Sequence, residues 1–279
     1  MKLQYLGTAA AEGWPAVFCN CRACKEARKL GGRNIRTRSQ AIVDDELLID
    51  LPCDTYMHGL REGIDLSAVR WLLVTHSHSD HFAPLELINR GGGYAHDMTS
   101  EVLDIYCNEA VEAYFYKAVS QELEPEIASG LRFHILKAFV PEKVGPYTVT
   151  PLPARHLPTE HAFIYLIERD GRSLLYAHDT GRLLPEVYDF LRQRGKSIDV
   201  ISLDCTGGYR ENGENNGHMG LPDTVVVKNR LLEIGAAGEH SRFILNHFSH
   251  NGMLLHEELV QRAAPACMEP SYDGMVVRF

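Results

Sequence analysis

Between positions 75 and 81 the chain reads Thr-His-Ser-His-Ser-Asp-His, directly after the apolar run Trp71-Leu72-Leu73-Val74. A strand that gives way to a turn carrying three imidazoles and a carboxylate presents several ligating atoms at one end of a sheet. His76 and His78 lie two apart, on one face of an extended segment, so a single cation can take both. Asp80 and His81 continue into the following turn and can reach a second cation nearby. Imidazole and carboxylate together suit zinc, manganese or iron. A His-rich surface turn accounts poorly for such density.

One motif cannot complete two metal sites, so the remaining ligands belong at later strand ends. His156 follows the run Tyr147 to Leu152, Asp179 follows Leu174 to His178, and His247 follows Phe243 to Asn246. Each stands where an apolar strand passes into a loop, the usual place for reactive side chains on a rigid scaffold. Any one alone reads as a turn or core residue. Together, after the first motif, they form a set.

The rest of the pattern alternates strands with helices from end to end. Strands are expected at 3–6, 40–43, 46–50, 71–75, 103–107, 133–136, 147–152, 162–168, 173–177, 200–203, 243–246 and 275–277. Helices are expected at Pro84 to Arg90, Glu109 to Gln121, Leu184 to Arg194, Thr224 to Ile234 and Leu254 to Ala263. Gly91 to Gly93 and the polar run Gly207 to Gly220 read as loops. No repeat or linker divides the chain, so one α/β domain over 1–279, with helices outside two sheets, is the economical reading.

Charge narrows the partners. Lys and Arg number 28 against 37 Asp and Glu, a net charge of −9. Nucleic-acid binders show a basic balance or stripe, so no polymer of that kind is expected and a small anion fits better. The one basic cluster, Arg22 to Arg38, reads as a solvated face. No run approaches the roughly 18 apolar residues of a membrane span, and no leader is visible, so a cytoplasmic location without membrane contact is expected.

Seven cysteines are an odd count, and Cys19, Cys21 and Cys24 crowd together. Clustered thiols without a secretory leader suggest metal. Three thiolates are one short of a tetrahedral structural zinc; His250 is the best fourth ligand, with His256 and Cys205 behind it. Such an ion would pin loop 19–24 to the loop that carries His247. Cys53, Cys107, Cys205 and Cys267, scattered singly, are expected to be buried packing residues. His58, His96, His134, His240 and His256 show no partner pattern, and His161 and His178 read as either supporting or packing residues.

The ordered set resembles the metallo-β-lactamase superfamily, whose signature is His-x-His-x-Asp-His followed by a His, a bridging Asp and a last His. The resemblance implies an αββα sandwich with its site at one edge between the sheets. It implies one ion on His76, His78, His156 and Asp179, and a second on Asp80, His81, Asp179 and His247. Gly7 to Pro15, Cys-x-Cys-x-x-Cys, His-x-x-His at 247–250 and Tyr272 to Met275 further resemble the PhnP-like phosphodiesterases. That branch implies a structural zinc on the three cysteines and His250, a manganese-favouring dinuclear site, and a small ribosyl or nucleoside cyclic phosphate. His218 falls where the branch places a histidine beside the phosphate, as general acid or clamp, and Asp80 doubles as a catalytic carboxylate. A homodimer is implied by analogy only. The sequence departs from the branch around Gly91 to Thr99, Thr206 to Gly220, His161 and His178.

The expected reaction is therefore hydrolysis of a small phosphodiester, with water activated between two divalent ions. Thioester hydrolysis of the glyoxalase II kind competes, but only about 30 residues follow His247 to bind glutathione. RNase Z-type cleavage competes, against the net charge and without a basic arm. A cofactor-assembly branch related to pyrroloquinoline quinone carries a comparable cysteine cluster. A non-catalytic metal-binding scaffold is opposed by retention of every ligand.

Overall fold

Tyr176 and Leu174 point one way from their strand, Leu175 and Ala177 the other, and all four are buried. A strand buried on both faces must lie inside a layered structure. The computed structural model describes residues 1–279 and holds two seven-stranded sheets. The first contains β1 (Lys2–Gly7), β2 (Gln40–Val43), β3 (Leu47–Ile49), β4 (Trp71–Leu73), β5 (Leu103–Cys107) and β6 (Leu131–Ile135). The second contains β7 (Glu142–Val144), β8 (Tyr147–Pro153), β9 (Phe163–Arg169), β10 (Arg172–Ala177), β11 (Val200–Asp204), β12 (Arg242–Asn246) and β13 (Glu269–Pro270). The last strand, β14 (Val276–Arg278), returns to pair with β1, giving the order β14-β1-β2-β3-β4-β5-β6.

Three apolar layers hold these sheets. Tyr5, Val43, Ile49, Leu73, Val149, Tyr165, Leu174 and Ile244 interleave between them. Outside the first sheet, Ile42, Leu72 and Ile105 meet the helix Glu109–Ala118 through Val111 and Phe115. Outside the second, Leu175, Ile201 and Leu245 meet the helices Pro185–Arg194, Leu221–Glu233 and His256–Ala263. This is the αββα sandwich. β3 to β6 run parallel, as do β10 to β13, so several strands end at the same edge. A loop at that edge from one sheet meets loops from the other.

Several sequence expectations need correction. Pro84 to Asn89 is a 3₁₀ helix, not an α-helix. The helix expected from Thr224 begins at Leu221, where Pro222 and Asp223 serve its first turn. Part of the basic cluster forms a helix, Arg22–Leu30, whose Ala23, Cys24 and Ala27 are buried while Lys25, Arg28 and Lys29 face solvent. Arg36 is not solvated: it is 3% exposed and donates to Thr8 Oγ1, to the Ser271 carbonyl and to His256 Nδ1. Cys53 and Cys267 are exposed, not packed; Cys107 and Cys205 are buried. No helix is long and apolar enough to cross a membrane.

The Arg36–His256 contact carries a pH prediction. His256 accepts from a guanidinium, so burial and then Arg36 and Arg33 hold its pKa down at about 4. The unfolded state binds this proton from about pH 6.5 downward, while the native state does not until about pH 4. The stability His256 contributes is therefore complete above pH 6.5 and is lost as pH falls toward 4, by up to about 3 kcal/mol. Urea unfolding at pH 7 and pH 4.5 should show a shallower fall for His256→Gln than for the parent chain.

Candidate metal centre

Seven of the expected ligands converge where the strands end. His76 Nε2 lies 3.0 Å from His78 Nδ1, and His156 Nε2 lies 3.2 Å from that same atom. Asp179 Oδ2 stands 3.5 Å from both His76 Nε2 and His156 Nε2. A tetrahedron with bonds of about 2.1 Å has edges of about 3.4 Å, so these four atoms have the spacing of a zinc-type shell. In the second group His81 Nε2 lies 3.2 Å from Asp80 Oδ2, 3.3 Å from His247 Nε2 and 3.1 Å from Asp179 Oδ2. His247 Nε2 to Asp80 Oδ2 closes it at 3.7 Å. One carboxylate oxygen, Asp179 Oδ2, belongs to both.

The chemistry of the donors fits divalent cations. Imidazole nitrogens about 3 Å apart must share a proton or a cation, since two lone pairs repel. Asp179 is 3% exposed, and its Oδ1 makes no hydrogen bond in the protein. Burial alone would raise its pKa, but the surrounding imidazoles, His247 first, hold it well below the ordinary carboxylate range. Burial depresses His76, while Asp80 and Asp50 outweigh burial and raise His81. A buried group of imidazoles and carboxylates satisfied mainly by one another is the state that metal binding relieves.

Outer partners fix the rings, and sequence reasoning identified none of them. Asp50, fully buried just beyond β3, accepts from His81 Nδ1 at 2.7 Å and from the Thr75 amide at 2.8 Å. With Nδ1 donating, Nε2 of His81 is free to ligate. Thr206 Oγ1 does the same for His247 at 2.8 Å, and the Gly217 carbonyl lies 3.3 Å from His156 Nδ1. Glu160 accepts from the Ser77 amide at 2.8 Å and so braces the turn between His76 and His78. Asp50, Asp179 and His247 all adopt left-handed backbone, with φ of 65, 48 and 61°. Non-glycine residues held so cluster at functional sites.

His218 also arrives at the centre. Its Nδ1 is 2.8 Å from Asp179 Oδ1, short of hydrogen-bond alignment, and 3.2 Å from Asp204 Oδ2. Asp204, another residue that sequence reasoning passed over, is fully buried and accepts from the amides of Thr206 and Met219. Burial opposes a charged His218, yet Asp204 and Asp179 raise its pKa to about 11. The loop from 206 to 220 that carries it is braced by Asp223, which takes the amides of Asn212, Gly213 and Gly220. A Cβ at Gly181 would sit 1.8 Å from the Asn216 carbonyl oxygen, so that residue must be glycine for the loop to close.

His178 and His161 lie outside the metal groups. His178 bonds Ser202 and Asn246 inside the sandwich, and His161 pairs with Glu109 at the surface. A separate cluster joins Cys19, Cys21, Cys24 and His250, with His250 Nδ1 3.6 Å from Cys19 Sγ and 3.4 Å from Cys21 Sγ. Burial would raise the Cys21 thiol, but the Cys24 amide, His250 and the neighbouring thiols bring it to about 6. His256 is engaged with Arg36, and Cys205 is buried in the apolar layer, so neither joins this cluster. Amides at Ala10 and Phe248 tie the N-terminal segment to the loop bearing His247 and His250.

Known proteins resemble this chain in sequence and in fold. Coenzyme PQQ synthesis protein B of Methylobacterium radiotolerans is 27% identical over 308 residues, covering 99% of each chain. A diphosphatase of the PhnP family superposes with a TM-score of 0.75 at 22% identity, covering 100% of this chain and 97% of that one. Zn²⁺-bound PqqB from Methylobacterium extorquens superposes with a TM-score of 0.75 at 17% identity, covering 100% of both chains. Both structural likenesses are of fold. The model of the β-lactamase superfamily domain matches residues 51–248, a span that holds all seven candidate histidine and aspartate ligands. By that match and by its sandwich, this chain is a member of the metallo-β-lactamase superfamily.

Proposed function

We propose that the protein is a dinuclear-metal hydrolase of small phosphodiesters. The observation that carries this reading is the pair of four-donor groups sharing Asp179 Oδ2, with His218 beside them. When bound, two divalent ions supply Lewis acidity toward a phosphate oxygen and a water activated at neutral pH. His76, His78 and His156 would hold one ion, and Asp80, His81 and His247 the other, with Asp179 common to both. Asp50, Thr206 and the Gly217 carbonyl set which nitrogen of each ring faces inward. His218 directs Nδ1 at two carboxylates, and its Nε2 has no protein partner. That nitrogen is placed to donate to the leaving oxygen or to clamp a phosphate oxygen.

Protein stripped of metal and refilled with Mn²⁺ or Zn²⁺ is expected to hydrolyse bis(p-nitrophenyl) phosphate, and the stripped form is not. Absence of turnover with two ions bound would overturn the reading. His218→Ala should retain both ions and lose about a hundredfold in kcat, the lower end of general-acid contributions, because the ions carry most of the developing charge. Equal turnover in that variant would remove His218 from the reaction. The cysteine cluster with His250 we assign to a structural zinc.

A second reading rests on the relatives. Coenzyme PQQ synthesis protein B matches end to end, at 99% of both lengths. A role in assembling a cofactor is thus the alternative to which failure of the phosphodiester test would lead.

A further inference from the structure

Beside the first metal group lies a cavity of about 500 Å³ between the ends of β6 and β8. Its apolar walls include Leu136, Ala138, Pro153, Ala154 and Ala162. The backbone ties it to the centre at three points. Ala154 stands two residues before His156, and its amide donates to the Ala162 carbonyl at 2.9 Å. The Phe163 amide donates to the carbonyl of Thr75, the residue before His76, also at 2.9 Å. Glu160 lines the cavity and at the same time accepts from the Ser77 amide at 2.8 Å, between two ligands.

Three of the four charged or titratable groups at its rim are paired elsewhere, and Lys137 is not. Glu160 is engaged with Ser77, and His161 with Glu109 at 2.6 Å. Phe163 also lines the cavity but is 3% exposed, so little of its ring is open to a stacking base. No serine, threonine, asparagine or glutamine stands on the walls to meet sugar hydroxyls. Lys137 is exposed, forms no ion pair and leaves one cationic group at the rim, suited to the charge of a phosphodiester.

Resting on the phosphodiesterase reading, we propose that this cavity takes one ester arm of the substrate and that the arm is aliphatic. Mostly aliphatic walls reward each buried methylene and carry no hydroxyl or amide side chain for a sugar or a base. The substrate is then an anionic phosphodiester with a short alkyl arm, in place of the cyclic ribosyl phosphate that the family resemblance implies.

The test uses the methyl, butyl and hexyl esters of p-nitrophenyl phosphate with Mn²⁺-loaded protein, and calorimetric binding of methylphosphonate and hexylphosphonate. Both kcat/KM and affinity are expected to rise about fourfold per methylene until the cavity is filled. Ala138→Trp should flatten both slopes; should it not fold, the parent's own slopes decide. Turnover independent of chain length, with equal phosphonate affinities, would overturn the cavity assignment and leave the phosphodiesterase reading standing. No turnover of any ester, with affinity still rising along the phosphonates, would support the cavity and remove the reaction. No turnover and flat affinity would overturn both.

Discussion

Asp179→Asn should abolish turnover to background and leave the purified protein with at most one active-site ion after dialysis. The residue sits just past β10 with φ of 48°, a conformation that asparagine tolerates as well as aspartate, so the backbone has no reason to move. What changes is charge. Asp179 Oδ2 is the one oxygen within 3.5 Å of His76, His156 and His81, so both ions lose their only common anion. Altering an outer partner of a metal ligand already costs roughly 10–100-fold in affinity or activity, and a shared carboxylate in direct contact must cost more. Metal analysis by plasma emission, alongside turnover, separates loss of ions from loss of chemistry. Full metal content with parent-like turnover would show that Asp179 is not the bridge.

What could be read from the sequence was what lies within a few residues or at a strand end. The turn from His76 to His81 announces itself because its donors are consecutive, and His156, Asp179 and His247 because each closes an apolar run. Asp50 and Asp204 close apolar runs too, but a lone carboxylate after a strand is indistinguishable from a turn residue such as Asp44 or Asp45. Their roles come from partners 31 and 14 residues away, His81 and His218, which no local pattern encodes. The same holds for Arg36, whose burial follows from Thr8, Ser271 and His256. The helix from Arg22 was hidden for another reason: its apolar face is made of Ala23, Cys24 and Ala27, too small to mark a hydrophobic stripe. The cavity by the first metal group was illegible altogether, since its walls come from three separate segments.

Cys21→Ser should lower stability much more than chemistry. Cys21 caps the helix from Arg22, with its sulfur accepting from the Cys24 amide, and it lies 3.4 Å from His250 Nδ1. Serine preserves the cap, because a hydroxyl is a preferred helix cap, and removes the thiolate. An ion present at a thousandfold over its dissociation constant stabilises the fold by about 4 kcal/mol. For a chain of this size that is a melting shift of roughly 8–16 °C. The variant should therefore melt lower by about that amount, and added chelator should shift the parent and hardly move the variant. His250 stands three residues beyond His247 on one short loop, so loosening the cluster should also raise the metal concentration needed for half-maximal activity. At saturating Mn²⁺ the variant should recover most of its kcat, because Cys19, Cys21, Cys24 and His250 form a group separate from the seven candidate ligands. A variant that melts with the parent, with or without chelator, would mean that the three cysteines are only a reduced surface cluster.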